Sequence, residues 1–192
     1  MIKNNLKYLI FVMISGLFSC QPIEILDDIV FDYNQLPKII ISAEQKKIFE
    51  LYESKYIEPY IDHSLENPPK EYLINWFEKN LSIIGTENLF VINILDASLK
   101  KSEVPNPNAK HYREKTIFLF ELSFLVEFIL YDDSKFVLAN SIVEAKRTTT
   151  SGKFISLMES ERIIDTLILD CLIDFSKKSE ELIQIHMNNF LL

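Results

Sequence analysis

Glycine is almost missing from this chain: three residues in 192, with only Gly85 and Gly152 beyond the N-terminal segment. That excludes glycine-rich phosphate loops and a fold of many tight hairpins. Histidine is equally scarce. His63 lies in a tyrosine-rich stretch, His111 in a polar loop and His186 near the C-terminus. No two of them share metal-ligand spacing, so no metal site is expected. Basic runs are absent too. The formal charge is -8, and loss of a leader carrying Lys3 and Lys7 makes the remainder more acidic. Phosphate contacts need clustered Lys and Arg, so nucleic acid is not an expected partner. No G-x-S-x-G elbow occurs. There are two cysteines, Cys20 and Cys171; the second sits among apolar residues and reads as a small buried hydrophobe.

What is present suits one domain behind a targeting segment. The chain is 48% hydrophobic and 25% charged, ordinary globular usage. Residues 1–19 read as a signal peptide. Lys3 and Lys7 precede the apolar run Tyr8–Ile14, which is too short for a permanent span. Leu17-Phe18-Ser19-Cys20 then resembles the lipobox of bacterial lipoproteins, with Phe18 standing where a small residue is usual. The resemblance implies cleavage before Cys20 and lipidation of its thiol and new amino group. It places the protein in the cell envelope, facing the periplasm and anchored to a membrane. Gln21 replaces the Asp that holds lipoproteins at the inner membrane in enteric bacteria, which leans towards the outer membrane. Residues 20–36 read as the lipidated tether and 37–192 as a single domain.

Along that domain, Lys38–Ala43 is a β-branched first strand that extends towards Phe49, with a helix opening at Ser42 as the rival reading. Leu51–Pro69 is irregular. Asn67-Pro68-Pro69 starts an amphipathic helix, with Leu73, Trp76, Phe77, Leu81 and Ile84 in phase and Gly85 as its stop. Leu89–Leu95 is a central strand running on through Ser98. Thr116–Tyr131 alternates with period two, all of Phe118, Phe120, Leu122, Phe124, Val126, Phe128 and Leu130 on one face. Phe136–Thr149 returns as its hairpin partner. Ser156…Glu159 is a capping box for a long helix to about Met187, with an apolar stripe from Ile164 to Ile185. The expected fold is α+β, β-α-β-β-β-α, a mixed four-stranded sheet with two helices packed on one face.

Candidate chemistry is thin. Glu121 and Glu127 share a strand face, and Glu144 can lie beside them, the arrangement of a paired-carboxylate hydrolase; a solvated sheet face explains them as well. A cysteine nucleophile needs Cys171 exposed, whereas its phase buries it. The aromatics Tyr52, Tyr56, Tyr60 and Trp76 read as core or as a partner-contacting set.

Trp76…Asp96-Ala97-Ser98, Arg147-Thr-Thr-Thr150 and Glu159-Ser-Glu-Arg162 together resemble a group of small uncharacterised envelope lipoproteins from alphaproteobacteria. The element order is distantly similar to the auxiliary lipoproteins of Mce-type ABC lipid transport and to the lipopolysaccharide-assembly lipoprotein. Those likenesses imply a non-enzymatic accessory or assembly role on an envelope complex, without a cofactor. The alternative is a module that binds a lipid or small apolar ligand between sheet and helices or on the free sheet face.

Overall fold

A computed structural model of the chain describes residues 29, 31–109 and 114–192. The signal-peptide and Cys20 readings therefore lie outside the described residues, as does His111. Across these described residues the fold is α+β, with two α-helices, a mixed four-stranded sheet and a small parallel sheet.

The isoleucine run splits in two. Strand β1 (Ile39–Ile41) belongs to the small sheet and β2 (Gln45–Glu50) to the large one. The single first strand expected from the sequence is thus corrected, and no helix opens at Ser42. Between them the chain bends: Ser42 N–H donates to Phe190 O at 2.7 Å and Glu44 N–H to Glu87 O at 2.8 Å. Gly85 sits where this bend comes close, since a Cβ there would meet the Ala43 nitrogen at 2.9 Å. Close backbone approach, rather than a helix stop, is what requires glycine.

Helix α1 (Pro69–Asn80) starts with proline in its first turn, and Pro68, not Asn67, holds the cap position without a side-chain bond. It ends four residues earlier than the Leu81–Ile84 phase suggests. Lys46, on β2, reaches across and donates to Phe77 O (2.8 Å) and Leu81 O (2.6 Å). A cation there satisfies orphan carbonyls and complements the helix dipole. Burial pushes the Lys46 amine below its usual pKa, with Glu78 acting the other way. Leu81–Ile83 then forms β3, parallel to β1.

Strand β4 (Leu89–Pro105), β5 (Thr116–Tyr131) and β6 (Val137–Ser151) complete the large sheet in the order β2-β4-β5-β6. β2 and β4 are parallel, the other pairs antiparallel. β4 runs on to Pro105, well past Ser98, because it pairs with β5 along its whole length, with one irregularity at Leu95 between Ile94 and Asp96.

Helix α2 (Leu157–His186) begins as expected, Ser156 Oγ accepting from Glu159 N–H at 3.1 Å. Its stripe includes Ile164, Leu167, Ile168, Cys171, Leu172 and Phe175. Ile185 is 61% exposed and leaves the stripe, while Ile183 and Met187 join it. Ser179 is buried rather than solvated, donating to Phe175 O at 2.7 Å.

Both helices pack on the face of β5 that carries the period-two apolar residues. Trp76, Phe77, Phe90, Phe124, Phe128 and Phe175 are almost fully buried there. Phe77 meets Phe128 edge-on at 6.0 Å, and Trp76 meets Phe175 at 5.6 Å. Buried Asn80 ties the incoming segment down, its Nδ2 donating to Tyr33 O at 2.8 Å and Leu36 O at 3.1 Å. Tyr33 and Leu36 are consequently packed, ahead of Pro37.

Candidate functional site

The four aromatics singled out in the sequence separate into two environments. Trp76 is 0% exposed and belongs to the core between helices and sheet. Tyr52 is 6% exposed. Its hydroxyl lies 3.0 Å from Asp62 Oδ2, the phenol donating to the carboxylate. Burial, then the Asp62 charge, push the Tyr52 pKa up. Asp62 is itself 1% exposed, and its Oδ1 meets no donor among the described residues. Neither Trp76 nor Tyr52 therefore offers a side chain to a partner.

The other two are accessible. Tyr56 is 80% exposed and rests on the His63 ring, centroids 4.9 Å apart. Tyr60 pairs with β4 at Lys100, and Lys55 and Lys100 flank its ring at 4.4 and 5.2 Å. The hydrogen bond from Lys55 lowers the Tyr60 pKa. Leu51 (59%) and Ile57 (67%) are exposed in the same connection.

This connection borders the outer face of the large sheet, opposite the helices. The register puts Lys100, Asp96 and Asn93 of β4 beside Glu121, Leu125 and Glu127 of β5. Thr148, Glu144 and Ile142 of β6 follow across the next pairing. Phe49 on β2 adds an edge apolar group, 46% exposed, and Ile142 is 53% exposed. Glu127 accepts from Asn93 Nδ2 at 2.9 Å, and Glu144 is paired with Lys146 at 2.6 Å. The hydrogen bond from Lys146 holds the Glu144 carboxyl below its usual pKa. A general acid needs the opposite shift. Glu121, Glu127 and Glu144 share a face, as expected, but two of the three are engaged with polar neighbours.

Two clefts open at the first half of α2. One, of about 380 Å³, lies between Arg147, Thr148 and Thr149 of β6 and Glu159, Arg162, Thr166 and Asp170 of the helix. It brings together the Arg147–Thr149 and Glu159–Arg162 motifs, which the short β6–α2 connection separates. Arg147 is already committed: it donates to Asp174 at 2.6 and 3.1 Å, and Asp170 lies 3.6 Å away. This fork stitches helix to strand rather than presenting a free guanidinium. The second cleft, about 460 Å³, is lined by Ile29, Ser64–Asn67, Tyr72, Met158, Glu161, Arg162, Ile164 and Asp165. Burial, then the Asp165 charge, push Tyr72 up to about 12. Both clefts are mixed in polarity. The space between sheet and helices, one of the two places where the alternative reading puts an apolar ligand, is filled by the aromatic core.

Cys171 is 0% exposed, and burial pushes its thiol up to about 12. Among the described residues no group of three His, Cys, Asp or Glu side chains converges as a metal site. Among them, too, no helix is long and apolar enough to cross a membrane. The sequence reading missed the exposure of Leu157 and Met158. Periodicity could not have shown it: Leu157 keeps the phase of the Ile164–Phe175 stripe, five full turns before Phe175.

No family model matches the chain, and no curated protein matches it. Solved structures similar to it include two lipoproteins. One is a minor lipoprotein from Acinetobacter baumannii, 10% identical, covering 78% of this chain and 96% of that one, with a TM-score of 0.41. The other is the rare lipoprotein B from Shewanella oneidensis, 15% identical, covering 72% of this chain and 92% of that one, with a TM-score of 0.38. Both neighbours are bacterial lipoproteins. With TM-scores under 0.5, they carry no argument for fold or function here.

Proposed function

We propose that the chain is a lipid-anchored envelope protein with a non-enzymatic accessory role, docking on an envelope transport or assembly complex. The observation that carries this reading is the outer face of the sheet. It is uncovered by either helix, carries Phe49 and Ile142 half-exposed among paired charges, and is bordered by the accessible Tyr56 and Tyr60. Apolar and aromatic groups set in a polar rim are the makeup of a protein-binding patch. The lipobox at Leu17–Cys20 supplies the anchor, with the outer membrane as destination. Three acyl chains hold a protein firmly where one would not.

The test is crosslinking in cells producing the tagged full chain, then mild detergent extraction. A subunit of an envelope transporter or outer-membrane assembly is expected to copurify, and to be lost when Ile142→Asp or Tyr56→Asp is introduced with the fold intact by circular dichroism. Recovery of the protein alone overturns the docking reading. Recovery with bound lipid alone favours the ligand-binding alternative.

A further inference from the structure

The start of α2 carries apolar side chains that the other described residues leave largely uncovered. Phe154 is 89% exposed, Leu157 75% and Met158 45%. They occupy the β6–α2 connection and the first helical turn, where the capping box needs only Ser156 and Glu159. Exposed phenylalanine and leucine side by side leave apolar surface in water that a partner or a membrane would cover.

The chain's own tether says which. Ile29 lines the same cleft as Met158, so the described chain emerges beside this cluster. Phe31 then packs on Tyr72 in a tilted pair, ring centroids 4.2 Å apart, and Tyr72 lines that cleft as well. The exit point is thus held by packing. Ile29 stands nine positions after Cys20. An extended chain of that length spans at most about 30 Å. Helix α2, at 30 residues, is about 45 Å long. The end carrying Leu157 and Met158 is therefore the end a lipid on Cys20 holds at the bilayer, and the far end is out of the tether's reach.

We propose that Phe154, Leu157 and Met158 form a second, non-covalent contact with the lipid surface, which orients the domain with the start of α2 towards the membrane and its β5–β6 turn away. The proposal rests on the anchor reading above. It differs from it in claiming a fixed orientation rather than attachment alone. Interfacial apolar groups of this kind sink only to the headgroup–acyl boundary. Lipid held this close by the tether presents a high local concentration, so a weak contact suffices.

Phe136, 72% exposed at the β5–β6 turn, provides the matched control. Phe154→Cys and Phe136→Cys would each be labelled with an environment-sensitive fluorophore in the folded full-length lipoprotein, Cys171 being buried. The proteins go into phosphatidylethanolamine–phosphatidylglycerol vesicles with spin-labelled lipid, and mass spectrometry of the same samples reads acylation of Cys20. Quenching by at least half at position 154, with little at 136, is the expected result. Equal quenching at both sites, or at neither, on acylated protein overturns the orientation while leaving the anchor standing. A blue shift at 154 without lipid quenching means self-association, and overturns it as well. Unacylated Cys20 overturns both readings together.

Discussion

The two faces of the large sheet are made by the same strands and behave as different materials. On the inner face, β5 places Phe120, Leu122, Phe124, Val126, Phe128 and Leu130 all at 1% exposure or less, closed over by α1 and α2. On the outer face the alternate residues mix Glu121 and Glu127 with Leu125 and Ile129, and β6 answers with Glu144, Ile142 and Thr148. A packed face makes every side chain costly to change, because neighbours cannot relax into a gap. An open face makes most changes cheap for stability and leaves them free to serve contact with something else. The difference teaches where to look for function in a chain with no catalytic cluster among its described residues.

Trp76→Ala should break the inner face most severely. Truncating a fully buried aromatic of this kind costs about 3–5 kcal/mol, to be read from the denaturant midpoint. Asn80→Ala comes next. Loss of its donors takes the side-chain hydrogen bond from the Leu36 carbonyl and leaves Tyr33 O with the Leu36 N–H alone, worth about 1–3 kcal/mol. Ser156→Ala removes the α2 cap, for about 1 kcal/mol, measured in the same way. At the seam between β6 and α2, the Arg147 fork holds Asp174 below its usual pKa. A depressed folded pKa contributes stability that is present above the unfolded value, near 3.8, and is lost as pH falls through the lower folded value. Asp174→Asn should flatten that acid-side loss in a stability–pH curve, while costing at most about 1 kcal/mol near neutrality since the pair is largely exposed. Smallest of all, Ile142→Thr on the outer face should shift stability by no more than about 0.5 kcal/mol. A cost above 2 kcal/mol by the same melt would mean that the outer face is packed after all, and the contrast would fail.

How much of this was legible follows from which signals are local. The β5 strand was readable residue by residue because its alternation needs no knowledge of what covers it. So was α2, whose cap and stripe both lie within it. The split of β1 from β2 was not, since the bend at residues 42–44 depends on the Ser42 and Glu44 N–H groups meeting carbonyls at Phe190 and Glu87, more than forty residues away. Lys46 was equally illegible, because a lysine in an apolar–polar strand pattern simply reads as solvent-facing. The end of α1 was misplaced for the same reason: Leu81 and Ile84 keep helical phase with Leu73 and Phe77, yet Leu81–Ile83 pairs with β1 instead. The tyrosines were illegible for a different reason. A four-residue repeat puts side chains on one face only in a helix, and Tyr52, Tyr56 and Tyr60 stand in an irregular connection, where one turns inward to Asp62 and the others do not. The outer face and the bare start of α2 were hidden because exposure of an apolar residue is decided by what fails to arrive.

Cys171 lies at the middle of α2, its thiol sealed against the sheet side of the helix and hard to ionise. On the proposed lipidation of Cys20, Cys171 is the one free thiol of the two cysteines, and reagents can reach it only when the helix lifts away. The protein thus carries its own tamper seal: the speed at which Cys171 is alkylated under native conditions clocks how often the domain comes apart, with no label added.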